Sequence, residues 1–233
     1  MPRLIAPQLS QGAAMIEYVT STNIDDRVLA RAARILRDGA LVALPTDSSW
    51  SLVCSLRSRD GIKKLRRLSG QRDERLFTML CSSISQFGEL CSLDNSRFRL
   101  INRLSPGPYV FILRTLLGTE KTLDIRRHEA GVRIPGHPVP FALIDALGHP
   151  LYSITAKRSM LKGGEEDEVL PEDALPPIPE EDLFEGGWEL EEIEGLDLVL
   201  DDGQERERVF STILDLSGDE VWLIRPGAGP WPV

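Results

Sequence analysis

Apolar positions along this chain fall into two rhythms, short unbroken runs and stripes spaced three and four apart. The run at 40–44, ALVAL, has the length and character of a strand buried on both faces. Pro45 fixes φ and removes a backbone donor, so the strand is expected to stop there. Thr46, Asp47, Ser48 and Ser49 follow as four polar side chains, and Trp50, Leu52 and Val53 restart a strand. Upstream, Val28, Leu29, Ala32, Ile35 and Leu36 form a helical stripe with Arg27, Arg31, Arg34 and Arg37 on the other face. Thr22 and Asp25 have the spacing of a capping box, with Asp in place of Glu, and Gly39 fits the helix stop.

The same two rhythms continue downstream. Residues 15–20 read as an edge strand. Ile62, Leu65 and Leu68 mark one face of a helix that ends at Gly70. Residues 76–81, 109–113, 131–134, 151–154 and 196–200 read as strands, and 85–90, 95–104 and 138–147 as helices. Residues 188–194 read as a short amphipathic helix, and 211–216 with 221–224 as a hairpin around Ser217, Gly218 and Asp219. Strands that alternate with helices and close on a hairpin predict an α/β fold: a twisted, open, mixed parallel and antiparallel sheet with flanking helices. The strand at 151–154 exits into Thr155, Ala156, Lys157 and Arg158, which repeats the apolar-strand, polar-exit pattern of residues 40–49. In open α/β sheets such exits are where ligands sit.

With 42% hydrophobic residues the 233-residue chain supports a sizeable core. No apolar run spans a membrane, and residues 1–14 lack the apolar stretch of a signal peptide. Cys54, Cys81 and Cys91 show no paired spacing and read as buried thiols of a cytoplasmic protein. His128, His137 and His149 show no ligand spacing, so no protein-held metal is expected. The formal charge of −9 hides an asymmetry: between Glu165 and Asp202 lie 17 acidic residues and no Lys or Arg, and the remainder carries 19 acids against 27 bases, a net of +8. Such a body favours anionic partners, nucleotides or RNA. Eight of its bases fall within 57–75, among them Lys63, Lys64, Arg67 and Arg72, the candidate RNA- or phosphate-binding set. The acidic, proline-rich stretch at about 163–186 reads as a flexible, surface-exposed insertion in a single domain whose core covers about 20–162 and 187–230.

Several segments together resemble one family. PTDSSWSL at 45–52, PGPYVFIL at 106–113, GVRIPGHP at 131–138, SITAK at 153–157, STILDL at 211–216 and LIRPGA at 223–228 are similar, in order and spacing, to motifs of YrdC-like proteins, with FTMLC at 77–81 closest to the YciO branch. The resemblance implies a YrdC-like sheet with a basic concave face. It also implies the chemistry of threonylcarbamoyl-AMP synthases, which join L-threonine, bicarbonate and ATP, with Mg²⁺, to form an intermediate for tRNA modification. By position it gives Thr46 and Arg133 as catalytic residues, and Asp47, Trp50, Thr155, Lys157, Ser211 and Arg225 as nucleotide or substrate contacts.

Departures from the motifs bear on the activity. The family's Lys-x-Arg falls on Ser69 and Gln71, with Arg67 two positions early and Arg72 one late. The Ser and Asn of its Ser-Thr-Ser-Ala-Asn segment fall on Thr155 and Lys157. The alternative to a synthase is therefore a non-catalytic protein of the same fold that binds nucleotide, tRNA or double-stranded RNA.

Overall fold

In a computed structural model the described residues are 13–69, 77–118, 121, 128–162 and 179–232. The strands are β1 (Met15–Tyr18), β2 (Val42–Leu44), β3 (Ser51–Ser55), β4 (Thr78–Leu80), β5 (Tyr109–Arg114), β6 (Glu129–Arg133), β7 (Leu151–Thr155), β8 (Leu198–Asp201), β9 (Thr212–Asp215) and β10 (Trp222–Arg225). The helices are α1 (Asp26–Arg37), α2 (Arg59–Ser69), α3 (Ile84–Leu90), α4 (Asn95–Leu104) and α5 (Pro138–Leu147). All ten strands join one sheet in the order β1-β8-β2-β3-β7-β4-β6-β5-β9-β10. The β1–β8, β2–β8, β4–β6 and β5–β9 pairs are parallel and the others antiparallel, so the sheet is mixed as the pattern predicts.

Local chemistry fixes where the helices begin and end. Asp25, not Thr22, caps α1: its carboxylate accepts the Arg27 amide at 2.7 Å. The Thr22–Asp25 spacing therefore signals the cap one turn too early. The His137 Nδ1 accepts the Val139 amide at 3.3 Å, Pro138 opens α5, and Gly148 at φ 81° ends it in the left-handed region. Residues 188–194 do not form the expected α-helix. A short 3₁₀ turn, Gly187–Leu190, takes their place. A Cβ on Gly187 would stand 2.5 Å from the Asp201 carboxyl, so this backbone lies against β8, and packing overrides helical propensity.

The two-residue repeat of each strand divides the core into two layers. The first face carries Leu52 and Cys54 of β3, Tyr152 and Ile154 of β7, Met79 of β4, Val132 of β6 and Phe111 of β5. Ile62 and Leu65 of α2, Phe87 of α3 and Ile101 of α4 join them. The second face carries Val42 and Leu44 of β2, Val53 of β3, Leu80 of β4 and Leu151 of β7, and it packs under α1 and α5 through Leu36, Leu143 and Ile144. Helices thus cover the first face broadly, while the second is covered on one side only.

Residues 163–178 of the expected insertion lie outside the described residues. Its last stretch is not surface-exposed throughout: Leu183 and Phe184 are fully buried, and Arg158 lies over the Phe184 ring at 5.1 Å. Ser159 holds Asp182 through its amide at 2.8 Å and its hydroxyl at 3.0 Å. Two apolar side chains among many acids suffice to dock this stretch, because full burial of each contributes roughly 1.5–3 kcal/mol. No helix among the described residues is long and apolar enough to cross a membrane.

Candidate ligand-binding face

Beyond Val53, Leu80 and Leu151 the second face turns small and polar. Ladder register places Ser51 opposite Thr155, Val53 opposite Ser153, Ser153 opposite Thr78, and Thr78 opposite Gly131. By alternation these residues share the face of Leu80 and Leu151; Ser51 and Ser153 are buried, while Thr78, Gly131 and Thr155 are half-buried. A Cβ on Gly131 would stand 3.2 Å from Thr78 Oγ1 and 3.2 Å from Val110 Cγ1, so glycine keeps this floor low. The Ser153 hydroxyl donates to the Thr78 carbonyl at 2.8 Å, within the floor itself.

Over this floor arches the turn at 45–50. The Thr46 hydroxyl donates to the Ser49 carbonyl at 2.6 Å and accepts the Ser48 amide at 3.2 Å, so it is the clasp of the turn. Thr46 is fully buried; its hydroxyl holds the turn rather than reaching outward. The turn is thereby fixed with Asp47 and Ser48 turned toward β6, where Arg133 donates from Nη2 to Asp47 Oδ1 at 2.5 Å and from Nη1 to Ser48 Oγ at 3.1 Å. Arg133 is 4% exposed. Burial works against its charge, and the Asp47 carboxylate opposes that effect.

Arg225 comes to the same place from the end of β10. Its guanidinium lies over the Phe210 ring at 4.7 Å, and Nη2 donates to the Ser211 carbonyl at 3.0 Å. Burial, and then the like charge of Arg133, brings its pKa down to about 10. The Asp47 carboxylate answers the charge of Arg133, while no carboxylate pairs with Arg225 among the described residues. Arg133 Nε, Arg225 Nε and Asp47 Oδ2 are also buried without a hydrogen-bond partner.

The remaining sequence-predicted residues are divided by the sheet. Thr155 is half-buried on the floor opposite Ser51, two residues beyond the carbonyl that holds Thr46. Ser211 is buried and contributes its carbonyl to Arg225. Lys157 follows Thr155 by two and is buried at the exit of β7. Trp50, expected to contact the ligand, belongs instead to the first-face core: it is fully buried and its indole N–H donates to the Glu185 carbonyl at 3.1 Å. Lys63, Lys64 and Arg67 are exposed on α2, whose apolar residues pack on the first face, so they lie across the sheet from the floor. Ser69, where the family pattern has Lys, is buried and its hydroxyl donates to the Arg66 carbonyl at 2.8 Å. Arg72 lies outside the described residues.

A further polar cluster escaped the sequence reading. His137 Nε2 lies 3.2 Å from Asp202 Oδ2, which also accepts the Ser21 hydroxyl at 3.0 Å and a bond from Arg206. Nδ1 accepts the α5 cap amide, and Nε2 lies between Asp202 Oδ2 and Arg206 Nη2, the latter at 3.0 Å. Burial and the Arg206 charge push the His137 pKa down. A Cβ on Gly136 would stand 3.0 Å from Asp47 Oδ2, so this cluster adjoins the Asp47–Arg133 pair from the side of α5. The signal was available in the His-Pro of GVRIPGHP, but its partner Asp202 is 65 residues away.

The fold defines an α/β protein with one ten-stranded mixed sheet and a hydroxyl-bearing stretch on its second face. The Sua5/YciO/YrdC family pattern, described as "Telomere recombination", matches residues 34–171, and the chain belongs to that family. The chain is 29% identical to YciO of Escherichia coli over 213 residues, 91% of this chain and 95% of that one. The E. coli YciO crystal structure superposes with a TM-score of 0.74 at 26% identity, covering 94% of this chain and 98% of that one. The Threonylcarbamoyl-AMP synthase of Mus musculus is 27% identical over 205 residues, 85% of this chain and 66% of that protein. P. abyssi Sua5 complexed with L-threonine shares the fold, with a TM-score of 0.72 at 21% identity over 92% of this chain and 58% of that one.

Proposed function

We propose that the open half of the second face binds an adenine nucleotide and that the protein is a cytoplasmic relative of threonylcarbamoyl-AMP synthases, acting on an adenylate of that type. The observation that supports this most is the buried Arg133 at the end of β6, held by Asp47 and Ser48 of the 45–50 turn, with Arg225 near enough for the two charges to oppose each other. Guanidiniums aimed at one point stabilise phosphate charge, both in a bound nucleotide and as pyrophosphate departs. The hydroxyls of Ser51 and Thr155 suit the polar groups of an amino acid such as L-threonine, and bicarbonate would complete the synthase substrate set. Mg²⁺ would arrive on the triphosphate: among the described residues no group of three or more His, Cys, Asp or Glu converges, while Asp47 offers one free oxygen beside the phosphate-binding arginines. Its chemistry there is charge neutralisation.

The test is pyrophosphate release by purified protein with ATP, Mg²⁺, bicarbonate and L-threonine. Threonine-dependent release supports a synthase. Absence of release with ATP still bound supports a binding protein. A second reading rests on α2: Lys63, Lys64 and Arg67 are exposed and unpaired among the described residues, a surface suited to the backbone of tRNA or double-stranded RNA. Such binding would weaken steeply with salt.

A further inference from the structure

β10 closes the sheet beside β9, and among the described residues no strand lies on its other side. The run that leads into it is apolar and open: Val221 is 41% exposed, Trp222 60%, Leu223 41% and Ile224 44%. Edge strands are ordinarily blunted by charge, by proline or by a covering element. Here the first charge after Glu220 is Arg225, and Pro226 only follows the run. Trp222 and Leu223 fall on opposite faces of the strand, so a helix laid on one face would leave the other wet. The edge is also anchored. Arg97 of α4 donates from Nε to the Leu216 carbonyl at 2.6 Å and from Nη2 to the Gly218 carbonyl, and the Ser217 amide donates to Asp215 at 2.8 Å. Ladder direction shows which backbone groups are spare. The Thr212 and Leu216 amides turn toward β5, to the Pro108 carbonyl at 2.8 Å and the Ile112 carbonyl at 2.9 Å. By alternation Asp215 turns toward β10, so its partner Trp222 bonds inward, while Val221 and Leu223 present amide and carbonyl outward.

We propose that β10 pairs edge to edge with β10 of a second copy of this chain, antiparallel about a two-fold axis at Trp222, and that the protein dimerises through the continuous sheet so formed. In this register Val221 and the partner's Leu223 exchange the spare backbone bonds. Trp222 then meets the partner's Trp222 as a non-hydrogen-bonded pair, where side chains stand closest. A strand added at the edge shields both faces of the run at once. Charge selects the direction. Asp219 and Glu220 are exposed before the run and Arg225 ends it, so antiparallel pairing brings the acidic end of one copy to the basic end of the other. Parallel pairing would set like charges side by side. The opposite edge is a poorer partner: Glu17 of β1 is held in an ion pair with Arg31, and pairing β1 with β10 is head-to-tail and does not close. One strand pair is a small interface, so the dimer is a weak, concentration-dependent one.

The experiment is sedimentation equilibrium of the full chain from low to high micromolar concentration, with oxidative crosslinking of single-cysteine variants. Wild type is expected to rise from the 26.0 kDa monomer toward twice that mass. Trp222→Glu should weaken association at least about tenfold, because like charges then face each other across the axis. Its melting temperature at low concentration should match that of wild type, since the side chain is exposed. Trp222→Cys should oxidise to a disulfide-linked dimer, because a non-hydrogen-bonded pair sets the Cα atoms about 4.5 Å apart, within disulfide reach. Cys54, Cys81 and Cys91 are buried and should not compete. Tyr18→Cys, exposed on the opposite edge, should stay monomeric under the same oxidation. A monomer at every concentration overturns the proposal. So does a dimer that persists unweakened in Trp222→Glu, or a Tyr18→Cys link with Trp222→Cys unlinked. Growth past the dimer with concentration overturns it as well, by marking head-to-tail pairing of β1 with β10.

Discussion

The two halves of the second sheet face are built from the same strands and differ in what covers them. Under α1 and α5 the inward positions are Val53, Leu80 and Leu151. On the same strands, two residues along, they are Ser51, Thr78 and Ser153, then Thr155, with Gly131 on β6. Apolar branched side chains drive helix docking by removing area from water. Short hydroxyls and a glycine give a helix little apolar area to pack on. On the proposed reading a single strand such as β7 serves stability at Leu151 and recognition at Thr155, about four residues or ~13 Å apart.

That contrast predicts stability effects in one half and binding effects in the other. The largest combined effect is expected from Arg133→Met, which leaves the Asp47 carboxylate without its partner. Urea unfolding should show a loss of about 3 kcal/mol, and nucleotide affinity should fall with it. Adding Asp47→Asn should restore most of the stability and none of the affinity; recovery of both would remove Arg133 from the site. Leu151→Ala, under α5, is expected to cost about 2–3 kcal/mol with nucleotide affinity unchanged. Gly131→Val is the converse: the new side chain rises from the floor beside Thr78 and Val110, so affinity should fall at least about tenfold while stability changes by only about 1 kcal/mol. Equal losses of binding in Leu151→Ala and Gly131→Val would erase the distinction between the halves.

The smallest effect is in pH dependence. Burial holds both His137 and His149 below the usual histidine range, with Arg206 adding to the effect on His137. The unfolded chain therefore binds protons that the folded chain does not, and stability should fall as pH drops below about 6.5. His137→Asn keeps an acceptor for the α5 cap and should make that slope shallower. An unchanged slope in thermal melts between pH 7 and 5 would assign the effect to His149 alone.

The order of strands and helices was legible because β2, β3, β5 and β7 announce themselves as apolar runs bounded by Pro, Gly and hydroxyl residues. The turn at 45–50 was legible for the same reason, and the resemblance drew attention to Arg133 and Arg225, two cations that burial affects together. The individual roles were less so. Thr46 looks like a ligand contact in sequence, yet its hydroxyl clasps its own turn. Trp50 follows the polar turn but alternates to the opposite core. The floor itself was hidden, because Ser51, Thr78, Gly131 and Ser153 are unremarkable one at a time and become a surface only through ladder register. The basic stripe of α2 was plain, but the side of the sheet it occupies depends on where Ile62 and Leu65 pack. Leu183 and Phe184 were masked by the acidic residues around them.

The most direct test is a titration of ATP followed by backbone amide chemical shifts. The largest changes are expected at Ser51, Thr78, Gly131 and Thr155 and around Arg133 and Arg225, with Lys63 and Lys64 of α2 little affected. Changes centred on α2, with the floor residues silent at saturating nucleotide, would contradict a binding site on the open half of the second face.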